Sequence, residues 1–130
     1  MKIMVCYDGS EAAQSGLKQA IKHAKSFNGE ILLVESLIGG KELDPKETQE
    51  SEEKLDAAKK IVEQENIKCE RHLLIRGMAP GDDLVDFSDE NSVDEIIIGI
   101  KKKSKVGKIL FGSTAQQIIL EAKCPVLSVK

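Results

Sequence analysis

The chain has 130 residues, of which 41% are hydrophobic and 32% charged, and its formal net charge is −3. This composition is typical of a single globular domain and unlike that of a disordered chain. Aromatic residues make up only 3% of the sequence and tryptophan is absent, which argues against a surface that stacks nucleic-acid bases. The acidic balance likewise argues against a nucleic-acid partner.

The apolar segments are too short for secretion or membrane insertion. The opening residues, MKIMVCYDGS, lack the longer apolar core of a secretory signal, and no apolar run approaches the roughly 20 residues that span a bilayer. We therefore expect a cytoplasmic protein with no membrane partner. Because Cys6, Cys69 and Cys124 are widely spaced and odd in number, we interpret them as buried thiols.

Short apolar runs predict five β-strands. They extend from Lys2 to Tyr7, Glu30 to Ser36, Lys68 to Ile75, Glu95 to Gly99 and Pro125 to Val129. The second and fourth runs are almost continuously apolar, which is typical of strands covered on both faces in a parallel sheet.

Apolar residues at helical spacing predict a helix between each pair of strands. The predicted core-facing positions are Ala13, Leu17, Ala20, Ile21, Ala24, Phe27, Leu55, Ala58, Ile61, Val62, Leu84, Phe87, Ala115, Ile118, Ile119 and Ala122. Helix starts are indicated by Asp8 and Ser10, by Asp44 with Pro45, and by Ser113. The polar stretch GGKELDPKETQESEEK is interpreted as a surface loop that leads into the second helix.

The resulting order, βαβαβαβαβ, predicts an α/β fold. Strict alternation with crossovers of this length implies a parallel sheet, right-handed connections and helices on both faces. We expect one domain that extends over residues 1–130.

The connection between the fourth strand and the last helix has the composition of an anion site. Gly99 ends the strand, and Gly112, Ser113 and Thr114 open the helix; the lysines between them are Lys101, Lys102, Lys103, Lys105 and Lys108. Ligands of open α/β sheets lie at the carboxyl ends of the strands, glycines there let a ligand approach closely, and helix starts attract anions. These features suit a polyphosphate, with one or two lysines in contact with it.

Two known phosphate motifs are absent from this loop. Ile109 follows Gly107 and Lys108, so the loop is not a Walker A motif, and no GxGxxG follows any predicted strand. The absence of the GxGxxG fingerprint removes most of the support for a nicotinamide-dependent dehydrogenase.

Over essentially its whole length the sequence resembles the universal stress protein family. The resemblance rests on VCYDGS, LLVESL, RGMAPGDDLVDF and the spacing from Gly99 to Gly112-Ser113. Nucleotide-binding members of the family carry a further glycine between these two elements, and here that position is Lys102. A lysine can bind phosphate as a point charge, so we favour retained ATP binding.

The resemblance implies a three-layer α/β/α sandwich with a five-stranded parallel sheet in the order 3-2-1-4-5, a Rossmann-like fold. It implies ATP as ligand, with Mg²⁺ held through the phosphates, and a homodimer formed by the C-terminal strand through Val126, Leu127 and Val129. The nucleotide-binding residues implied are Cys6, Tyr7, Asp8, Ser36, Gly99, Lys102, Gly112, Ser113 and Thr114.

Three functional hypotheses follow. The first is an ATP-binding regulatory protein of the stress response, in which nucleotide occupancy changes conformation or the choice of an unknown protein partner. The second is a dimeric interaction module that has lost nucleotide binding, and the third is a slow ATPase.

We predict no metal site in the protein itself, because His23 and His72 lack partners at metal-ligand spacing. We also predict that the protein is not an enzyme, because no general base is recognised. Asp8 is expected to face the nucleotide, to form a capping box with Glu11, or to do both.

Overall fold

The computed structural model describes residues 1–38, 43–101 and 112–130. Strands and helices alternate along the chain. The elements are β1 (Lys2–Cys6), α1 (Glu11–Phe27), β2 (Glu30–Ser36), α2 (Pro45–Glu63), β3 (Cys69–Leu74), α3 (Pro80–Glu90), β4 (Glu95–Gly99), α4 (Ser113–Glu121) and β5 (Val126–Val129). The predicted bounds of β2 and β4 are confirmed, and β1, β3 and β5 are one or two residues shorter than predicted.

The strands form a five-stranded parallel sheet in the order β3-β2-β1-β4-β5, which confirms the predicted fold. The first strand lies at its centre, where Val5 is in register with Leu33 of β2 and Ile97 of β4. From β1 the sheet is built outward in one direction through β2 and β3 and in the other through β4 and β5. The connections that follow β1 and β4 therefore diverge, and a crevice opens between them at the carboxyl ends of these strands.

Each face of the sheet has its own apolar core. Ile3 and Val5 pack with α1 and α2, whereas Met4, which lies between them in sequence, packs with α3 and α4. Alternate residues of a strand point to opposite faces, so a continuously apolar strand supplies both cores. This arrangement confirms that helices cover both faces.

The helix starts differ in part from the predictions. Ser10, and not Asp8, is the N-cap of α1: its hydroxyl accepts a hydrogen bond from the Ala13 amide at 3.2 Å. The capping box of Asp8 with Glu11 is therefore wrong. Asp44 caps α2 as predicted, but α4 begins at Ser113 after an N-cap glycine, Gly112, with no side-chain cap.

Some predicted core positions lie on the surface. Phe27 and Ile61 are 61% and 50% exposed, and Ile119 is also exposed. The polar stretch interpreted as a loop is helical from Pro45 onward. Its apolar face begins only at Leu55, so the earlier helical turns have no continuous apolar stripe to indicate them. No helix in the described ranges has both the length and the apolar character needed to cross a membrane.

Candidate functional site

A cavity of about 620 Å³ lies at the carboxyl edge of the sheet, where β1, β2 and β4 end. Most of the residues named from the sequence line it: Cys6, Tyr7, Asp8, Ser36, Gly99, Gly112 and Thr114. Ser113 is exposed and does not line the cavity. Lys102 lies outside the described residues, as do Lys103, Lys105 and Lys108. The structure therefore brings together residues from widely separated parts of the chain.

Several lining residues were missed by the nucleotide-site prediction. They are Ser10, Ala13, Val34, Glu35, Pro80, Leu84, Ile98, Ile100 and Ala115. Most are apolar residues at the ends of predicted elements, and only the strand order decides which ends meet. Lys101 also lines the cavity and had been named only as one of the loop lysines.

The lining is chemically divided. Val34, Leu84, Ile98 and Ala115 are buried apolar side chains of one core, and they provide a wall suited to a flat apolar ring. The polar lining includes the carboxylates of Asp8 and Glu35 and the ammonium group of Lys101. A mostly apolar pocket with a few fixed polar groups is the usual form of a small-molecule site.

Both carboxylate oxygens of Asp8 are engaged within the protein. Oδ1 accepts a hydrogen bond from the Ser10 amide at 2.9 Å, and Oδ2 lies 3.1 Å from the Lys101 ammonium nitrogen. Burial alone would raise the pKa of Asp8, but the hydrogen bonds from Ser10 and the Lys101 ammonium outweigh it, and the pKa is lowered. Asp8 therefore stays ionised at neutral pH and draws Lys101 to the edge of the cavity.

The start of α4 supplies backbone donors that have no partner within the helix. Its N-cap, Gly112, offers no side-chain acceptor to the first turn. The first amides of a helix have no intrahelical partner, and the dipole favours negative charge there. Thr114 lines the cavity in this first turn. With Lys101 on the same cavity, this end is suited to an anionic group.

The two glycines of the predicted phosphate motif differ in their surroundings. A Cβ atom at Gly99 would overlap the Ala12 carbonyl group and lie 2.7 Å from the Ala13 amide nitrogen. Glycine is thus required there by the packing of α1 against β4. Gly99 also lines the cavity, and close approach of a ligand to it stays a prediction. A Cβ atom at Gly112 would meet nothing within 4 Å, so a side chain there would occupy the free space beside the cavity.

Ser36 takes part in a hydrogen-bonded network behind the cavity wall. Its hydroxyl donates to Oδ2 of Asp83 at 2.7 Å, and Arg76 Nε donates to Oδ1 of the same carboxylate at 2.5 Å. Asp83 is fully buried, and Arg76 also pairs with Glu90 at 3.0 Å. Asp83 lies in the first turn of α3, and nothing local in the sequence indicates its burial or its partners.

Glu35 precedes Ser36 and has a different environment. Its Oε1 atom is buried and has no hydrogen-bond partner within the described part of the chain. Desolvation raises the pKa of Glu35, as do the negative charges of Asp8 and Glu47. A hydrogen bond from Ser51 and the charge of Lys54 lower it, but the net change is a rise. A carboxylate in this state gains from any further hydrogen-bond donor.

The cysteine at this site does not have the lowered pKa of a nucleophilic thiol. Burial, with a smaller effect from the charge of Asp8, raises the pKa of Cys6 to about 12, so its thiol is neutral at physiological pH. Cys69 is buried, and desolvation raises its pKa to about 12. Cys6 and Cys124 are only partly buried, so the interpretation of all three cysteines as buried thiols is correct for Cys69 alone. Within the described residues, no three His, Cys, Asp or Glu side chains are grouped so as to hold a metal ion.

A second groove, of about 600 Å³, lies at the opposite edge of the sheet. Its lining includes Asn28, Asn66 and Ser92, which have positive φ angles in the turns that follow α1, α2 and α3. The groove thus follows from the turn geometry and lacks an apolar wall such as that of the first cavity.

Known proteins resemble this chain in sequence and in structure. The family model described as Universal stress protein family matches residues 1–130. A universal stress protein of Methanocaldococcus jannaschii is 31% identical, in an alignment covering 99% of this chain and 81% of that relative. A universal stress protein from Archaeoglobus fulgidus has a TM-score of 0.93 and 40% identity, covering 100% of this chain and 98% of that one. A structure from the same organism in complex with dAMP has a TM-score of 0.87 and 37% identity, with the same coverage.

Proposed function

Because the chain belongs to the universal stress protein family, as its sequence resemblance predicted, we propose that it binds ATP in the cavity at the carboxyl edge of the sheet. The observation that carries this proposal is the division of the lining. An apolar wall, two carboxylates, and Lys101 together with the start of α4 suit the base, the sugar and the phosphates of one nucleotide. The dAMP complex of the relative from Archaeoglobus fulgidus supports an adenine nucleotide as the ligand class.

In the proposed complex the base packs between Val34 and Leu84, and the phosphates lie near Lys101 and the first turn of α4. Mg²⁺ is held mainly by phosphate oxygens. Binding changes conformation or partner choice, which gives the protein a regulatory role in the stress response at a cytoplasmic location. Hydrolysis is slow or absent for want of a general base beside the phosphates.

Calorimetry with MgATP tests the site. We expect wild-type protein to bind with an affinity in the micromolar range, and Gly112→Val to lose binding because its side chain enters the phosphate region. Gln116→Val is a matched control: it adds the same side chain to an exposed position of α4 that does not line the cavity. Absence of heat with wild-type protein would favour the interaction module without nucleotide. An unchanged dissociation constant in Gly112→Val would show that the phosphates lie elsewhere.

We also propose that the protein forms a homodimer through β5, which lies at one edge of the sheet. The Ile96 and Ile100 amides donate to the carbonyls of Pro125 and Val129. Alternate residues of a parallel strand face opposite neighbours, so the NH and C=O groups of Val126 and Ser128 face away from β4. Such an edge favours pairing with a second copy.

Light scattering of wild-type protein and of Ser128→Pro tests this assembly. Proline removes an outward NH group and spares the hydrogen bonds to β4. We expect a wild-type dimer and a folded monomeric variant; a monomeric wild type at micromolar concentration, or a variant that remains dimeric, would contradict the proposal.

A further inference from the structure

The position of Glu35 in the cavity bears on which nucleotides the protein accepts. Glu35 lies at the carboxyl end of β2, on the strand adjacent to β1, and is one of the residues that line the cavity. The polar lining of the same cavity includes the carboxylates of Glu35 and Asp8. If the base lies at the wall and the phosphates at the helix, the sugar lies beside these two carboxylates.

Of these two carboxylates, Glu35 has the free hydrogen-bonding capacity. Asp8 accepts from the Ser10 amide with one oxygen and pairs with Lys101 through the other. Glu35 Oε1 is buried without a hydrogen-bond partner in residues 1–38, 43–101 and 112–130. Buried carboxylate oxygens are nearly always hydrogen-bonded in folded proteins, and leaving one unpaired is costly. A ligand donor would relieve that cost.

The charges around Glu35 come from α2 and from the turn after β1. They are Glu47 and Lys54, together with Asp8, and the hydroxyl of Ser51 is nearby. With Glu35 itself, three carboxylates and one ammonium group meet here, so the surroundings are acidic and disfavour an anionic ligand group. In the ranges that the structure describes, no three His, Cys, Asp or Glu side chains are grouped so as to hold a metal ion. A neutral donor such as a hydroxyl group fits this environment.

We propose that Glu35 accepts a hydrogen bond from a ribose hydroxyl of the bound nucleotide and thereby makes the protein prefer ribonucleotides to deoxyribonucleotides. This inference rests on the proposed nucleotide binding and adds a specificity determinant to it. In other βαβ nucleotide-binding units, an acidic residue after the glycine-rich turn hydrogen-bonds the ribose 2′-hydroxyl. Glu35 lies in such a unit, β1-α1-β2, although the glycine fingerprint of those proteins is absent here.

Calorimetry with ATP, 2′-deoxyATP and 3′-deoxyATP tests the inference. A hydrogen bond to a charged group gives about a tenfold preference or more, so wild-type protein should bind at least one deoxy analogue that much more weakly than ATP. Glu35→Gln retains an acceptor without the charge and should reduce this ratio. Glu35→Leu removes the acceptor and should bring the ratio close to one.

Glu47→Gln is the matched control, because it removes a nearby carboxylate that is exposed and does not line the cavity; its ratio should equal that of wild type. Equal ratios in wild type and both Glu35 variants, with ATP bound, would overturn the inference and leave the proposed function intact. A similar fall in the ratio with Glu47→Gln would also overturn it, since the effect would then be one of general charge. Failure of wild type to bind any of the three nucleotides would overturn both.

Discussion

Glu35 and Ser36 are neighbours on β2, yet the hydrogen bonding of their side chains differs. Ser36 points to the face covered by α3, where its hydroxyl joins the buried Asp83 and Arg76 in a network with short hydrogen bonds. Glu35 belongs to the other face of the strand, and one of its carboxylate oxygens is buried without a partner in the described residues. The first arrangement fixes the cavity wall. The second leaves hydrogen-bonding capacity for a ligand.

This difference shows how a single strand end can serve both stability and binding. A buried polar group whose partners are all supplied by the protein contributes to a unique fold. A buried polar group without a partner destabilises the free protein and stabilises a complex that supplies one. Substitutions on the two faces should therefore act on different quantities.

The largest effect is expected from Asp83→Ala. Removing this carboxylate leaves Arg76 without its buried partner and Ser36 without an acceptor, so the free energy of unfolding should fall by about 3 kcal/mol. Asp89→Ala, on the same helix, removes an exposed partner of Lys123 at 3.0 Å and should cost less than about 1 kcal/mol. Urea denaturation of both variants measures the two losses in the free energy of unfolding. Equal losses would show that the hydrogen bonds among Ser36, Asp83 and Arg76 do not stabilise the fold.

A smaller effect is expected from the glycines that flank the lysine-rich loop. Gly99→Ala should lower the free energy of unfolding by about 1–3 kcal/mol, because the new methyl group overlaps the Ala12 carbonyl. Gly112→Ala should change it by less than about 0.5 kcal/mol, since that position is open and has φ −64°. Thermal or urea unfolding measures both, and a reversed order would contradict the roles given to the two positions.

The smallest effect is expected from Glu35→Gln in the absence of ligand. The pKa of Glu35 is raised above 4.5, chiefly by desolvation, so the folded state binds the proton more tightly than the unfolded state. Its contribution to stability is then most favourable below pH 4.5 and is lost as the pH rises through the folded-state pKa. Glutamine does not titrate, so Glu35→Gln does not lose stability in this way as the pH rises.

Urea denaturation at pH 4 and pH 7 tests the pH dependence of that effect. Relative to wild type, Glu35→Gln should gain stability as the pH rises, by no more than about 1 kcal/mol. A variant that loses stability at pH 7 would mean that the Glu35 carboxylate is already well paired in the free protein.

The fold could be predicted from the sequence because its main signals are local. The continuous apolar runs of β2 and β4 fixed their bounds, and the alternation of strands and helices predicted the parallel sheet. Where two local signals competed, the prediction was wrong. Asp8 and Ser10 are both good N-caps, and the turn at Gly9, with φ +80°, places Ser10 at the helix start.

The candidate site could be predicted only in part, since its lining depends on which distant elements meet. The residues before Gly9 were implied by the family resemblance, and those around Gly112 were also indicated by glycine and helix-start signals. Asp83 looked like a helix-start residue, because nothing local in the sequence shows that Ser36 and Arg76 reach it. Glu35 was missed because a charged residue at the end of an apolar strand usually marks only the return to solvent.

The central claim is that an adenine nucleotide occupies the cavity at the carboxyl edge of the sheet. Amide chemical-shift mapping by NMR, with MgATP added to ¹⁵N-labelled protein, tests it most directly. The largest shifts should fall on residues 6–10, 34–36, 99–101 and 112–115, while Asn28, Asn66 and Ser92 of the opposite groove remain unchanged. Shifts centred on that groove, or no shifts at millimolar MgATP, would contradict the account.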